Sequence, residues 1–390
     1  MNELALLFLL LPVAALSGWM LGRHRSERTS GARVNELSSN YFRGLNYLLN
    51  EQQDKAIEVF LKLAEVNRDT VETHLALGNL FRRRGEVDRA IRVHQHLIAR
   101  PNLSATDKTL ALLELGEDYM RAGLLDRAEN LFVDLVAMDS LATPALRHLV
   151  AIYQHERDWE NAIAHARLLE VASGDSQHVV IAHLYCELAE QARSSGDWRK
   201  ALDVLEQAWK AEPGCIRASI IRGHIQLAQG ELECAIIDFE HVSSANPDYV
   251  PDVLPALLDC YRRANQPGRA ECFLTQLTER ENSVSALLAL AAIHADRRGD
   301  DAAIRLLEGV LRQRATVKGL LAFVELKSAQ ADGATRSSFQ LLHELIAKLL
   351  ENQALYRCNR CGFGAKAHHW HCPSCKDWDT IKPIRGTLGE

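Results

Sequence analysis

The sequence has no excess of positive charge: its 390 residues carry 45 Lys and Arg against 51 Asp and Glu, a formal net charge of -6. Nucleic-acid binding depends largely on basic residues that release counterions from phosphates, so this class of function is disfavoured. Proline is scarce, with 10 residues, and aromatic residues make up only 6%. Apolar residues still reach 47%, with Ala and Leu recurring through the middle, which is typical of a folded, mainly helical protein.

Motifs of the common enzyme classes are also missing. The sequence contains no phosphate-binding loop ending in Gly-Lys-Ser/Thr and no nucleophile elbow. His343 and Glu344 begin like a zinc-protease motif, but Ala347 stands where the second histidine is needed. Gly362 and Gly364 form an isolated glycine pair with no dinucleotide-binding context. The sequence therefore predicts a protein that is not an enzyme.

The nine cysteines do not form a secreted disulfide framework, because an odd count without distributed pairing indicates a reducing compartment. Five lie singly inside helical patterns, where they are interpreted as small buried apolar residues: Cys186, Cys215, Cys234, Cys260 and Cys272. The other four are clustered near the C-terminus and require a separate explanation.

An uncharged apolar run extends from Leu4 to Gly22. As a helix it measures roughly 28 Å, enough to cross a hydrocarbon core. Positive charge follows it at Arg23, Arg25 and Arg28, which predicts a cytoplasmic location for the rest of the chain. A cleaved signal peptide is the alternative, but its basic residues would precede the apolar run. We expect a transmembrane anchor over residues 1–25 and a polar linker over 26–39.

A repeat occupies the middle of the chain. An alanine, followed by an apolar residue in six of eight cases, recurs with spacings of 34, 38, 34, 39, 34, 35 and 33, at Ala56, Ala90, Ala128, Ala162, Ala201, Ala235, Ala270 and Ala303. Twelve residues before the first three stand Gly44, Gly78 and Gly116. This is the pattern of the tetratricopeptide repeat, in which two antiparallel helices close in about 34 residues. The two longer spacings are expected to be loop insertions, at 101–108 and 174–178.

The repeat predicts an all-α fold. Small residues let the two helices of a pair approach closely, and stacked pairs form a right-handed superhelix with a concave groove. We expect this array over residues 40–353. Partner proteins commonly bind the first helices of such pairs. The residues that the register places on that face, called here the groove residues, are Asn79, Arg82, Glu117, Arg147, Glu190, Arg193, His224, Asp259 and Arg262.

Two Cys-x2-Cys pairs follow the array within residues 354–390. They are formed by Cys358 with Cys361 and by Cys372 with Cys375. Such pairs can present four thiolates to one metal ion, and a closed four-sulfur site leaves no position for a catalytic water. Zinc and iron both suit this ligand set. A dithiol redox site is the alternative. Between the pairs lie three histidines, which are expected to be exposed or to support the metal ligands from behind: His368, His369 and His371. The segment that carries the two pairs is called here the knuckle. Two tryptophans, Trp370 and Trp378, are expected to line the knuckle or to dock it on the last helices.

The chain contains, in this order, an N-terminal span, a tetratricopeptide array and a rubredoxin-like knuckle with two Cys-x2-Cys pairs. The knuckle ends in Trp370-His-Cys372-Pro-Ser-Cys375 and residues 380–385. In this order and over the full length the chain resembles the lipopolysaccharide assembly protein B family. The resemblance implies a cytoplasm-facing regulator at the inner membrane of Gram-negative bacteria, with the four cysteines as metal ligands and Leu4 to Gly22 as the anchor.

That family is understood to promote proteolysis of the deacetylase that commits lipid A synthesis, carried out by a membrane AAA+ protease, and to gather lipopolysaccharide assembly proteins. The implied partners are these proteins and the membrane, with no nucleic acid; the sequence leaves the oligomeric state, homo-oligomers included, open. The rival interpretation is an electron-transfer protein with an iron knuckle. Such a protein would not need about 300 residues of repeats.

Overall fold

The computed structural model describes residues 42–44, 46–47, 50, 52–66, 71–139, 141–351, 353–387 and 389–390. The predicted anchor and linker lie outside these residues. Within the described part of the chain, no helix is long and apolar enough to cross a membrane. The chain divides into two compact units, the first ending at Arg157 and the second running from Asp158 to Glu390.

Helices α1 to α6 belong to the first unit and α7 to α17 to the second. Their bounds are α1 Gln53–Val66, α2 Val71–Arg83, α3 Val87–Ile98, α4 Ala105–Arg121, α5 Leu125–Ala137, α6 Ala142–Glu156, α7 Trp159–Ser173, α8 His178–Ser194, α9 Trp198–Ala211, α10 Ile216–Gln229, α11 Leu232–Ala245, α12 Val250–Arg263, α13 Pro267–Arg280, α14 Val284–Arg298, α15 Asp300–Gln313, α16 Val317–Gln330 and α17 Gly333–Glu351. A 3-10 turn, Pro247–Tyr249, precedes α12. Three short strands follow: β1 Tyr356–Cys358, β2 Gly364–Ala365 and β3 Ile381–Pro383.

Each of the eight marker alanines is the fourth residue of an odd-numbered helix from α1 to α15. All eight are buried, with at most 3% of their surface exposed. Because a methyl group at this point lets the preceding helix approach closely, one alanine sets the distance between the two helices of each pair. The predicted tetratricopeptide-repeat fold is thereby confirmed. The handedness of the array stays a prediction.

Glycine and phenylalanine pack against each other across the helix pairs. Space for the ring of Phe132 exists only because Gly116 has no side chain: a Cβ there would lie 2.5 Å from the ring. Phe60 faces Gly44 and Phe239 faces Gly223 in the same way, always sixteen residues apart. Where the small residue is an alanine, as at Ala189, a leucine replaces the ring sixteen residues later. In these pairs a larger residue on the first helix is matched by a smaller one on the second, so their combined volume changes little.

Replacing Gly116 by Ala is expected to destabilise the first unit by about 1–3 kcal/mol, since the rigid ring of Phe132 must move. The matched control is Gly309→Ala in the exposed middle of α15, where nothing lies within 4 Å of the added methyl group. There we expect a gain of roughly 0.5–1 kcal/mol. Urea unfolding of both variants measures the two signs. Equal effects at the two sites would contradict this packing account.

Two expectations need correction. The longer repeat spacings do not come mainly from loops: α4 and α8 each have 17 residues, whereas α2 has 13 and α10 has 14, so much of the extra chain lengthens a first helix. Cys234 and Cys272 are exposed, while Cys186, Cys215 and Cys260 are buried as predicted. The two exposed thiols stand one and two positions from a marker alanine, which turns them away from the buried side of their helices.

Candidate metal centre and its docking surface

A three-stranded antiparallel sheet in the order β2-β1-β3 holds the two cysteine pairs together. Tyr356 pairs with Ala365 on one side and with Pro383 on the other, and Cys358 pairs with Ile381. The first cysteine pair lies at the end of β1 and on the turn after it, where Gly362 has a left-handed conformation (φ 78°). A bridge between His371 and Trp378 closes the second turn. The sheet thus brings two distant turns face to face.

The four sulfur atoms fit one tetrahedral metal ion. The Sγ atoms of Cys358 and Cys375 are 3.7 Å apart, as are those of Cys361 and Cys372. All four lie within 4.8 Å of one another. A metal–sulfur bond of about 2.3 Å gives a sulfur–sulfur separation of about 3.8 Å in a tetrahedron, whereas a disulfide requires about 2.05 Å. The spacing matches metal coordination, and both zinc and iron satisfy it.

Hydrogen bonds to sulfur favour the thiolate form of Cys358. Burial alone would raise its pKa, but the Thr380 hydroxyl, 3.3 Å away, and backbone N–H groups lower the pKa to about 6. One of these N–H groups is that of Cys361, whose nitrogen is 3.5 Å from the sulfur. Because metals bind thiolates, these hydrogen bonds favour coordination by Cys358. At Cys375 the N–H of Asp377 lowers the pKa, but burial and the other three cysteines raise it to about 12.

The knuckle packs on the array through its two tryptophans. The Trp370 ring stacks on Tyr249 with centroids 5.1 Å apart, and Trp378 stacks on His183 at 5.2 Å. The guanidinium of Arg217 lies 5.5 Å from the Trp370 ring and 5.8 Å from the Trp378 ring. Tyr249, His183 and Arg217 are all at least nine-tenths buried. The tryptophans dock the knuckle as expected, but on α8, α10 and the turn before α12 rather than on the last helices.

Polar contacts surround this aromatic cluster. The Tyr249 hydroxyl donates a hydrogen bond to Asp379, and Lys382 lies 2.6 Å from the same hydroxyl and 2.7 Å from the carboxylate. Next to it, the Tyr356 hydroxyl donates to Asp252 of α12 at 3.0 Å. These contacts orient the knuckle, because directional hydrogen bonds join its side chains to those of the array.

His368 is not exposed, which corrects the expectation for the first of the three histidines. Only 9% of its side chain is accessible, and its Nδ1 lies 3.1 Å from an oxygen of Asp252. His371 is half-buried, with its ring on Trp378 and its Nε2 2.8 Å from the Lys376 carbonyl, and His369 is exposed. The spacing of the cysteines predicts the metal site, but the sequence does not show which surface of the array the knuckle covers. The burial of His368 was missed for this reason.

The last residues extend the contact along the array. Arg385 binds Asp248 at 2.6 Å. The Glu390 carboxylate accepts hydrogen bonds from the Ser283 hydroxyl at 2.5 Å and from the backbone N–H of Ser285 at 3.1 Å. These serines lie at the N-terminus of α14, where a negative charge is favoured by the helix dipole. Sequence reasoning missed this contact, since no motif marks it.

The docked knuckle and the groove residues of the second unit share one helix face. Asp252 contacts the knuckle and Asp259 is a groove residue seven positions later; the pairs His183 with Glu190 and Arg217 with His224 repeat this spacing. Seven residues make nearly two full turns, so each pair lies on one side of its helix. The knuckle therefore covers the N-terminal half of this face and leaves the C-terminal half open.

The groove residues mostly pair with one another or with near neighbours. Glu190 binds Arg193 at 2.7 Å, Asp259 binds Arg262, and the half-buried His224 lies edge-on to Phe239. In the first unit, Arg82 binds Glu117 at 2.8 Å, Asn79 is half-buried and Arg147 is exposed. Their role in binding a partner stays a prediction.

Comparison with known proteins decides the family. Residues 356–383 match a family described as a rubredoxin metal binding domain, and residues 73–106 and 186–248 match tetratricopeptide repeats. Lipopolysaccharide assembly protein B of Escherichia coli K12 is 40% identical over 387 residues, which cover 99% of this chain and 100% of that protein. The chain belongs to the lipopolysaccharide assembly protein B family. The family member from Haemophilus influenzae is 35% identical, with 97% and 98% of the two chains covered.

Solved structures of tetratricopeptide proteins are more distant. The C-terminal part of a repeat protein from Cytophaga hutchinsonii has a TM-score of 0.38 at 15% identity, with 70% of this chain and 94% of that chain covered. MamA from Desulfovibrio magneticus has a TM-score of 0.35 at 14% identity, with 46% and 96% covered. Likenesses at this level carry no further conclusion. The family comparisons give no support to the electron-transfer interpretation.

Docking of the knuckle is expected to weaken as the pH falls from about 6.5 to 4. Burial, with a contribution from Arg217, lowers the pKa of His183 to about 3, and burial lowers that of His368 to about 4. Protonation of either ring in acid therefore favours the undocked state, where the pKa is near 6.5. Burial raises the pKa of Asp252 to about 6, so protonation of its carboxylate favours docking as the pH falls. This shift is smaller than that of either histidine, and the two histidines together outweigh it.

Tryptophan fluorescence against pH would follow undocking, and metal content must be measured in parallel because acid also protonates the thiolates. In His183→Phe, which keeps a stacking ring, we expect the acid midpoint to fall by about one pH unit. If the midpoint is unchanged at constant metal content, protonation of His183 does not contribute to undocking in acid.

Proposed function

We propose that this chain is an adaptor anchored in the bacterial inner membrane that regulates lipopolysaccharide synthesis. The observation that carries the proposal is the 40% identity to lipopolysaccharide assembly protein B over 99% of the chain. In the proposed role the array binds the deacetylase that commits lipid A synthesis and presents it to a membrane AAA+ protease. The same surface would gather lipopolysaccharide assembly enzymes. No catalytic residue takes part.

The parts of the chain have separate roles in this proposal. The segment from Leu4 to Gly22 anchors the protein, with everything after it on the cytoplasmic side. The array over residues 40–353 binds protein partners through its groove residues. Cys358, Cys361, Cys372 and Cys375 hold one zinc or iron ion that folds residues 354–390, because so short a segment buries too little surface to fold alone.

Open helix surface beside the docked knuckle supports the adaptor role. A groove of about 430 Å³ lies between α12 and α14, with Leu258 and Ile293 in its wall and Arg262 and Arg297 at its edge. Apolar walls with charged edges suit a side chain of a partner protein. The four-sulfur centre, in contrast, has no open coordination position for a substrate.

The test is crosslinking in intact membranes followed by purification of the full chain. We expect the protease and the deacetylase to be recovered with it, and the deacetylase to accumulate when the gene is deleted. A variant lacking residues 1–25 should lose the protease while its array stays folded. Recovery of neither protein from membranes, with normal deacetylase abundance in the deletion strain, would contradict the proposal.

A further inference from the structure

Two buried thiols face each other in the second unit, close to the docked knuckle. Cys186 lies in α8, and Cys215 is the residue directly before α10. Their Sγ atoms are 3.7 Å apart, with 0% of Cys186 and 6% of Cys215 exposed. The four-sulfur centre has the same separation, but no third metal-ligating side chain joins this pair within the described part of the chain. Because structural zinc takes four ligands, the pair is suited to sulfur chemistry instead.

The two thiols differ in their readiness to ionise. A hydrogen bond donated by the Cys186 thiol and the backbone N–H of Ala218 lower the pKa of Cys215, although burial opposes them. The place of Cys215 at the N-terminus of a helix also favours its thiolate. Burial raises the pKa of Cys186 well above its ordinary value. Cys215 is therefore suited to attack as a thiolate, and Cys186 to react second.

A recess of about 260 Å³ gives small molecules access to Cys215. The array and the knuckle share its wall, to which Cys215, His183, Arg217 and Trp370 contribute. Two buried nitrogen atoms of this wall, Arg217 Nη1 and His183 Nδ1, have no hydrogen-bond partner among the described residues. Arg217 Nη2 binds Glu187 at 2.7 Å, which holds the guanidinium in place. Since an unpaired buried donor is costly, Nη1 favours a small ligand with an oxygen acceptor.

We propose that Cys186 and Cys215 form a peroxide-reactive dithiol, and that their disulfide weakens docking of the knuckle. The inference goes beyond the adaptor function and does not depend on it. Hydrogen peroxide fits the recess, and its oxygen atoms can accept a hydrogen bond from Arg217 Nη1. In a reducing compartment, disulfides are usually transient and serve catalysis or redox sensing, which suits a reversible pair of this kind.

The reaction has two steps. The thiolate of Cys215 attacks one oxygen of hydrogen peroxide, the O–O bond breaks, and the leaving hydroxide takes a proton from solvent to become water. Cys215 is then a sulfenic acid. The sulfur of Cys186 attacks the sulfur of Cys215, the S–O bond breaks, and the departing hydroxide takes the Cys186 proton as a second water. Both sulfurs are oxidised and both peroxide oxygens are reduced.

Closing the disulfide must disturb the docking surface. The two sulfur atoms have to approach from 3.7 Å to about 2.05 Å in a close-packed interior. Arg217, which contacts both tryptophans of the knuckle, lies two residues after Cys215. His183, which stacks on Trp378, lies three residues before Cys186, nearly one helical turn away. Loss of one such aromatic contact changes the docking equilibrium by roughly two- to tenfold.

The experiment treats the full, metal-loaded chain in nonionic detergent with hydrogen peroxide and identifies linked peptides by mass spectrometry. We expect α8 to be joined to α10 through Cys186 and Cys215 before the exposed thiols Cys234 and Cys272 are oxidised. Dithiothreitol should reverse the link. Limited proteolysis between α17 and β1 measures release of the knuckle, which should increase at least about twofold on oxidation. Metal content is measured in the same samples, because peroxide also attacks metal-bound thiolates.

Two variants remove the second thiol, Cys186→Ser and Cys186→Ala, so that one remains informative if the other fails to fold. In either variant, dimedone should trap a sulfenic acid on Cys215, and peroxide should no longer release the knuckle at constant metal content. The matched control is Cys234→Ser, which changes an exposed thiol of α11 and should keep the full response.

Three results would overturn the inference. The first is the absence of a link between Cys186 and Cys215 at peroxide concentrations that oxidise Cys234 and Cys272. The second is a link that forms while the proteolysis pattern stays unchanged. The third is equal release of the knuckle in wild type and in the Cys186 variants, which would assign the effect of peroxide to the four-sulfur centre.

Discussion

Replacing Cys358 by Ser is expected to release the metal and unfold residues 354–390 while the helices stay folded. One of four ligands is lost from a site whose binding energy folds the segment. The array keeps its own buried core, since its helix pairs are closed by the marker alanines. Metal analysis of the purified chain and hydrogen exchange along its length measure the two effects. Helix protection should change by less than tenfold except in α8, α10 and α12, which lose the docked knuckle.

The control is Cys272→Ser, which alters an exposed thiol of α13 and should retain the metal. In cells, the proposed function predicts that Cys358→Ser raises deacetylase abundance as a gene deletion does, although the variant protein persists. Normal abundance without metal would show that the knuckle has no part in regulation. Melting of all helices would show instead that the knuckle belongs to the core of the array.

Replacing Trp370 by Ala should separate docking from metal binding. Trp370 stacks on the buried Tyr249 and contacts Arg217, but it lies outside the four-sulfur site. Loss of this partly exposed ring should weaken docking by about 3 kcal/mol, more than a hundredfold in the docking equilibrium, with the metal retained. Limited proteolysis between α17 and β1 would detect the released knuckle.

Trp209→Ala provides the comparison, because this tryptophan of α9 stacks with Arg222 in the array and does not touch the knuckle. It should leave the proteolysis pattern unchanged. If Trp370→Ala also loses its metal, docking and coordination form one cooperative unit. If it retains both metal and protection, the polar contacts of Asp252 and Asp379 are sufficient for docking.

The repeat could be predicted from sequence because it depends on short-range geometry. A marker alanine and its partner glycine lie within one helix pair, so the spacing of small residues reports the packing directly. The four cysteines were equally readable, since metal coordination imposes the two Cys-x2-Cys pairs. The expected loop insertions were wrong because extra residues can lengthen a helix as easily as a loop without disturbing the pattern.

Docking of the knuckle could not be predicted in the same way. The hydrogen bond between Tyr249 and Asp379 joins residues 130 positions apart, and neither residue belongs to a recognisable motif. The sequence around His368 is the same whether its side chain is buried or exposed. Only the assembled surface of α8, α10 and α12 distinguishes them, because burial here comes from matching shape rather than from local pattern.

The distance along the chain between the two sides of this contact also sets an order of events during synthesis. Tyr249 leaves the ribosome about 130 residues before Asp379, an interval of roughly 6 to 26 s at bacterial rates of elongation. For that time, the nascent array exposes an aromatic surface that its own C-terminus will later cover. Any partner that bound this surface before the last forty residues had been made would compete with docking of the knuckle.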